Sequence, residues 1–147
     1  MPGLRVLDNA KAIKGCAAGE RVTFRARVLR VWEIGGARMC LAGDESALTR
    51  VELGGEDVEP DGSYEFRDLV VREYPGGWHS VLLVGGSSVR ALEEGVPVSQ
   101  DEAYIERTYR ILAGVQRTKA RREGRVGPWR HPTQVEEEAG VRKEAES

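Results

Sequence analysis

The sequence predicts an all-β domain, a small closed barrel of five strands, followed by a C-terminal α-helix and a flexible charged tail. Residues 20–92 contain short segments of alternating apolar and polar side chains, and glycine-rich turns separate these segments. After Pro97 the apolar residues recur at helical spacing instead. We therefore expect a barrel domain over residues 1–97, a helix over 98–124 and a flexible tail over 125–147.

The longest alternating segment spans residues 21–33, where Val22, Phe24, Ala26 and Val28 share one face. A strand of this length needs a bend or bulge before it can contribute to two parts of a small barrel. Further strands are expected at residues 37–42, 48–53, 63–73 and 78–84, with a break at Gly85-Gly86 before a last segment at 88–92.

The predicted helix begins with a capping box, in which Ser99 is followed three residues later by Glu102. It either stops at Gly114 or continues to Gly124. Its apolar stripe could pack on its own barrel or bind partner subunits, and the sequence leaves both open. The candidate partner-binding residues on the stripe are Tyr104, Ile105, Thr108, Ile111, Leu112 and Val115.

Charge is distributed unevenly along a chain whose net charge is −2. Residues 1–97 hold twelve Lys/Arg against fifteen Asp/Glu, whereas residues 107–131 hold eight Lys/Arg against one Glu. Residues 132–147 are acidic again, with five Glu against two basic residues. The basic segment could add phosphate contacts, or it could be the solvated end of a helix.

Several classes of protein are not indicated. No apolar run reaches the about 20 residues that span a bilayer, and charged residues interrupt the N-terminal segment, so we expect a cytoplasmic protein. Cys16 and Cys40 are isolated thiols with no CxxC motif, which predicts no metal site. The sequence lacks catalytic and cofactor-binding motifs, so we expect no enzyme activity and no cofactor.

Three segments narrow the choice among small barrels: GERVTFRARVLRVWE, LAGDESALTRVEL and VEPDGSYEFRDLVVREYPGGW. Their order and spacing resemble the single OB-fold domain of archaeal single-stranded-DNA-binding proteins and archaeal replication protein A, over roughly residues 14–92. The resemblance implies an OB fold, an archaeal source, and single-stranded DNA or RNA binding in replication or repair. The family's base-stacking positions fall on Gly54, Val70 and Tyr74, and only Tyr74 is aromatic.

Nucleic-acid-binding candidates are the aromatic residues near predicted turns and the arginines of the strands. Aromatic rings can stack on any base, and guanidinium groups bind phosphates with planar geometry. The alternative is that these aromatics cover the open ends of the barrel and the arginines form a solvated face. The chosen candidates are Trp32, Arg38, Arg50, Arg72, Tyr74 and Trp78, whereas Phe24, Tyr64 and Phe66 are expected to belong to the barrel core or wall.

Two functional hypotheses follow. The first is a single-stranded nucleic-acid binder. The second is a non-catalytic subunit of a replication protein A-like complex that oligomerises through the C-terminal helix. In either case Trp129, an isolated aromatic residue in the tail, is a further candidate for binding a protein partner.

Overall fold

The computed structural model of the chain describes residues 5–74 and 77–124. Within them lie seven strands, a short 3₁₀ helix and one long α-helix. Their bounds are β1 (Arg5–Val6), the 3₁₀ helix (Ala10–Gly15), β2 (Arg21–Ile34), β3 (Ala37–Gly43), β4 (Leu48–Glu52), β5 (Ser63–Tyr74), β6 (Trp78–Leu82), β7 (Ser88–Ala91) and α1 (Glu102–Arg122).

Five of these strands form a closed barrel. The order around it is β2-β3-β4-β6-β5, and β5 pairs back to β2. Strands β4 and β6 run parallel, whereas the other neighbours in the barrel are antiparallel. The short strands β1 and β7 extend β2 and β5 at their edges. The predicted five-stranded barrel with a C-terminal helix is therefore confirmed, and β1 is an addition that the sequence pattern did not predict.

The bulge expected in the first barrel strand lies in β2 between Val28 and Arg30, where the register with β3 shifts. Before the bulge, Phe24 and Val28 point into the barrel core. After it, Trp32 and Ile34 belong to a second cluster outside the barrel wall, beneath α1. One extra residue therefore changes the side of the sheet on which Trp32 lies.

The barrel interior is apolar. Phe24 and Phe66 stack with their ring centroids 5.3 Å apart, and both are buried, as predicted. Tyr64 is half-buried against this core, and its hydroxyl accepts a hydrogen bond from the Glu59 backbone N–H at 2.8 Å. Cys40, one of the two free thiols, is also buried within the core.

The helix begins two residues later than the predicted capping box. Asp101 is the N-cap and accepts a hydrogen bond from the Tyr104 N–H at 2.8 Å, whereas the Ser99 hydroxyl donates to the Glu45 carbonyl. The helix continues through Gly114 because its buried face docks on the barrel, which outweighs the about 1 kcal/mol that an internal glycine costs. Gly124, with φ +78°, follows the last turn.

Helix α1 packs on its own barrel. The residues that it buries there include Ile105, Tyr109, Ala113 and Ala120, and Leu112 is half-buried against the same cluster. The prediction that Ile105 and Leu112 bind a partner is therefore wrong, because both contact the chain's own barrel. The residues of the predicted stripe that remain largely exposed are Tyr104 at 45%, Ile111 at 59% and Val115 at 48%, while Thr108 is half-buried and donates to the Tyr104 carbonyl.

A buried amide fixes the helix against the barrel. The Gln116 Oε1 atom accepts from Trp32 Nε1 at 2.7 Å, and Gln116 Nε2 donates to the carbonyls of Ile34 at 3.1 Å and Ala37 at 3.2 Å. These two carbonyls flank the turn between β2 and β3. Gln116 therefore sets where the C-terminal half of α1 lies relative to that turn.

Replacing Gln116 with leucine is expected to lower the free energy of unfolding by about 1–3 kcal/mol, because the Trp32 indole N–H would stay buried without an acceptor. Chemical denaturation followed by circular dichroism measures this change. Gln100→Leu, at a half-buried position before the helix, is the matched control. A Gln116→Leu variant no less stable than this control would contradict the role given to Gln116.

Pro75 and Gly76, Trp129 and the predicted tail at 125–147 lie outside the described residues. In the described ranges, no group of three or more His, Cys, Asp or Glu side chains is arranged to hold a metal ion. Over the same part of the chain, no helix has the length and apolar character needed to cross a membrane.

Candidate functional site

A cleft of about 990 Å³ lies between the C-terminal half of α1 and the outer face of the barrel. Side chains from β3, β4, β5 and β6 form its floor, and α1 forms one wall. The barrel residues that line it are Ala37, Met39, Arg50, Glu52, Tyr74 and Trp78.

An aromatic pair dominates the floor. Tyr74 ends β5 and Trp78 begins β6, and the two residues are direct cross-strand partners. Their rings stack with centroids 4.9 Å apart and planes inclined by 20°. Both side chains are half-buried and line the cleft. The structure thus brings together two of the three aromatic residues predicted to stack on bases.

Two of the predicted arginines contact this pair. The Arg50 guanidinium carbon lies 4.8 Å from the Tyr74 ring centroid and 4.9 Å from that of Trp78. The Arg72 guanidinium lies 5.3 Å from the Tyr74 centroid. Arg50 is only 4% exposed, so its charge is held in place beneath the rings. These distances are in the range of cation–π contacts.

Glu52, which the sequence analysis did not select, organises the cluster. Its Oε2 atom accepts from the Tyr74 hydroxyl at 2.7 Å, from Ser80 Oγ at 3.1 Å and from Arg50 Nη2 at 3.4 Å. Its Oε1 atom accepts from Arg72 Nη1 at 3.0 Å. One signal was available, because the alternation in residues 48–53 places Arg50 and Glu52 on the same face of β4.

The same environment favours the protonated form of Tyr74. Burial, followed by the hydrogen bond to Glu52, raises the pKa of the phenol above its ordinary value of 10.0, against the opposing effects of Arg50 and Arg72. Tyr74 is therefore a neutral hydrogen-bond donor at physiological pH. The Glu52 carboxylate, which accepts its hydrogen bond, fixes the orientation of the Tyr74 ring.

Two predicted site residues lie elsewhere. Trp32 is 4% exposed, and its ring packs edge-on against Tyr109, with centroids 5.1 Å apart, beneath α1. It cannot stack on a base there, so that prediction is wrong. Arg38 alternates along β3 with the cleft residues Ala37 and Met39. It pairs instead with Asp57 and with Glu33, so the structure does not bring Arg38 into the cleft with the other candidates.

The wall formed by α1 combines residues that no sequence motif grouped into a single surface. Ile111 and Val115 form its apolar part, and Arg110, Lys119 and Arg122 carry its positive charge. Arg110 pairs with Glu106 at 2.9 Å. In the described ranges, no carboxylate lies within salt-bridge distance of Lys119 or Arg122. The acidic residues that line the cleft are Glu52 and Glu123.

No protein-family model and no curated protein matches this sequence. Among solved structures, the OB domain of MM0293 from Methanosarcina mazei is 24% identical, with a TM-score of 0.56, over 69% of this chain and 94% of that one. The HINa domain of Ifi202, in complex with a 20-base-pair double-stranded DNA, is 13% identical, with a TM-score of 0.53, over 61% of this chain and 48% of that one.

The tetrameric p202 HIN2 domain is a further neighbour, 9% identical, with a TM-score of 0.52, over 57% of this chain and 48% of that one. This chain thus spans about half the length of the two HIN-domain chains. At such identities the likeness establishes the fold alone. Together with the closed β2-β3-β4-β6-β5 barrel, it shows that the chain is an OB-fold domain with a C-terminal helix docked on its outer face.

Proposed function

We propose that this OB-fold domain binds single-stranded nucleic acid in the cleft between the barrel and α1. The stacked Tyr74–Trp78 pair, held against Arg50 and Arg72 by Glu52, carries the proposal. Aromatic rings bind bases of any sequence because every base has a π-face, and neighbouring arginines attract the phosphates. A cleft with both features suits a single strand whose bases are unpaired.

A duplex is a poorer fit to this surface. Paired bases stack on one another, so their faces are covered, and exposing them costs a few kcal/mol for each flipped nucleotide. The aromatic pair gains its stacking energy only from a base whose face is free. The solved complex of the Ifi202 HINa domain contains double-stranded DNA, so a duplex is a necessary competitor in the test.

DNA is the preferred ligand, and archaeal replication or repair the preferred role, because of the resemblance of residues 14–92 to archaeal single-stranded-DNA-binding domains. The proposal therefore uses an RNA oligomer of equal length as a second competitor.

The test is fluorescence anisotropy of a labelled oligo-dT titrated with the protein. We expect micromolar or tighter binding that weakens as salt rises, with a negative slope of log K against log salt. Unlabelled duplex of the same length should compete poorly. No binding at tens of micromolar protein in low salt, or equal competition by duplex, would contradict the proposal.

A second candidate is an assembly subunit of a replication protein A-like complex, and one observation favours it. The exposed residues Tyr104, Ile111 and Val115, with the half-buried Thr108 between the first two, share one face of α1. Sedimentation equilibrium distinguishes the two candidates. A monomer that binds oligo-dT supports the first, and a defined oligomer disrupted by Tyr104→Glu supports the second.

A further inference from the structure

The proposed function rests on the barrel floor of the cleft. It gives no role to the residues of α1 that form the wall of the cleft. Ile111 and Val115, one turn apart, face into the same cleft as Tyr74 and Trp78. Lys119 and Arg122, about one and two turns further on, line it as well. The wall therefore runs from apolar to cationic along the helix axis, beside a floor that is aromatic.

We propose that this helical wall is a second nucleic-acid contact surface, in which Lys119 and Arg122 bind the phosphodiester backbone while Ile111 and Val115 cover the bases held on the aromatic pair. This inference rests on the proposed function and assigns its phosphate contacts. It also gives Ile111 and Val115 a role other than subunit contact.

Charge supports a nucleic acid as the occupant. The described residues place no carboxylate within salt-bridge distance of Lys119 or Arg122, although most strand arginines of the chain are paired. The barrel, with more acidic than basic residues in 1–97, offers no general attraction for phosphates. Positive charge at the cleft therefore acts locally, against a background that repels a polyanion.

The other explanation for these basic residues is favourable interaction with the C-terminal end of the helix dipole. The last turn contains Lys119, Arg121 and Arg122. That explanation applies equally to Arg121, which is exposed and does not line the cleft. Binding to the cleft requires Lys119 and Arg122 specifically, so the two explanations predict different results for matched variants.

The buried amide of Gln116 holds the wall in a fixed position relative to the barrel floor. It joins α1 to Trp32 and to both strands at the β2–β3 turn. Lys119 and Arg122 follow Gln116 by one and nearly two turns, so their backbone positions relative to the floor are fixed. A preorganised wall contributes contacts without first losing helix entropy on binding.

The experiment compares the double variants Lys119→Gln/Arg122→Gln and Arg107→Gln/Arg121→Gln. Both remove two positive charges from α1, and only the first removes them from the cleft. Each is titrated against labelled oligo-dT over a range of salt, with circular dichroism to confirm folding. For the cleft variant, we expect the slope of log K against log salt to become shallower by about 1.4, which at 0.1 M salt is about 25-fold weaker binding. The control should stay within about twofold of wild type, which reflects long-range charge alone.

An equal loss of affinity in the two double variants would overturn the inference, because binding would then depend on the total charge of α1 and not on the position of the charges in the cleft. Wild-type affinity in Lys119→Gln/Arg122→Gln would overturn it too. If Trp78→Ala still abolished binding in that case, the barrel floor would remain the binding site and the proposed function would stand. Failure of wild-type protein to bind any oligonucleotide would instead remove the proposed function itself.

Discussion

Trp78→Ala is expected to weaken binding of oligo-dT by about 10- to 100-fold, since stacking on an aromatic ring contributes about 1–3 kcal/mol for each base. The loss of affinity should exceed that of one base contact, because Tyr74 also loses its stacking partner. The two ring centroids lie 4.9 Å apart. Fluorescence anisotropy at fixed salt measures the effect. Trp78→Phe keeps a π-face at the same place and should retain most of the affinity.

Tyr104→Ala is the matched control for this variant. Tyr104 is an exposed aromatic residue beside an arginine, Arg107, at 5.7 Å, and it lies outside the cleft. Its removal should leave the affinity unchanged. Two results would show that the aromatic floor does not hold the bases. One is a loss of affinity in Tyr104→Ala as large as that in Trp78→Ala, and the other is full affinity in Trp78→Ala.

Glu52→Gln is expected to have the largest effect on stability. Arg50 is buried and would lose the carboxylate that lies 3.4 Å from its guanidinium. Removing one partner of a buried ion pair costs about 3–5 kcal/mol. We expect about 3 kcal/mol here, because Arg72, the second cation, has a side chain 42% exposed and keeps its water. Urea unfolding measures the change.

Glu33→Gln provides the comparison. Glu33 also pairs with an arginine, Arg38, at 3.5 Å, but its side chain is half exposed, and exposed pairs contribute about 0–1 kcal/mol. Glu52→Gln should also weaken oligo-dT binding, although it makes the cleft more positive, because glutamine keeps only one of the two oxygens that accept from Tyr74, Arg50 and Arg72. Its amide NH2 would face donors where the second oxygen was. Tighter binding and unchanged stability would mean that Glu52 only opposes the ligand's charge.

The barrel and half of the cleft could be predicted from local sequence. Alternation along each strand fixes which residues face inward, and turn residues fix where strands end. Tyr74 and Trp78 flank one turn, so their pairing across β5 and β6 followed from the hairpin. Arg72 follows from the same hairpin register, because it pairs with Ser80 of β6. Arg50 reaches the rings only through the parallel pairing of β4 with β6, where it is also a partner of Ser80, and local alternation does not predict that pairing.

The errors arise where contacts join residues far apart in sequence. Trp32 changes side through the bulge in β2 and is then covered by a helix that begins seventy residues later. Strand alternation contains no information about that docking. The same docking packs Ile105 and Leu112 against the barrel, so they are not part of a surface for a partner. It also placed Lys119 and Arg122 beside an aromatic floor to which no sequence motif connects them.

The central claim is that unpaired bases enter the cleft and stack on Tyr74 and Trp78. Its most direct test is the ¹H–¹⁵N NMR spectrum of labelled protein titrated with oligo-dT, with the Trp78 indole signal assigned from Trp78→Phe. The account predicts a large shift of the Trp78 indole N–H and of β5, β6 and α1 amides around the cleft, with little change at the Trp32 indole, which is bound to Gln116. Shifts confined to other surfaces, such as the acidic loop at residues 54–62, would contradict it.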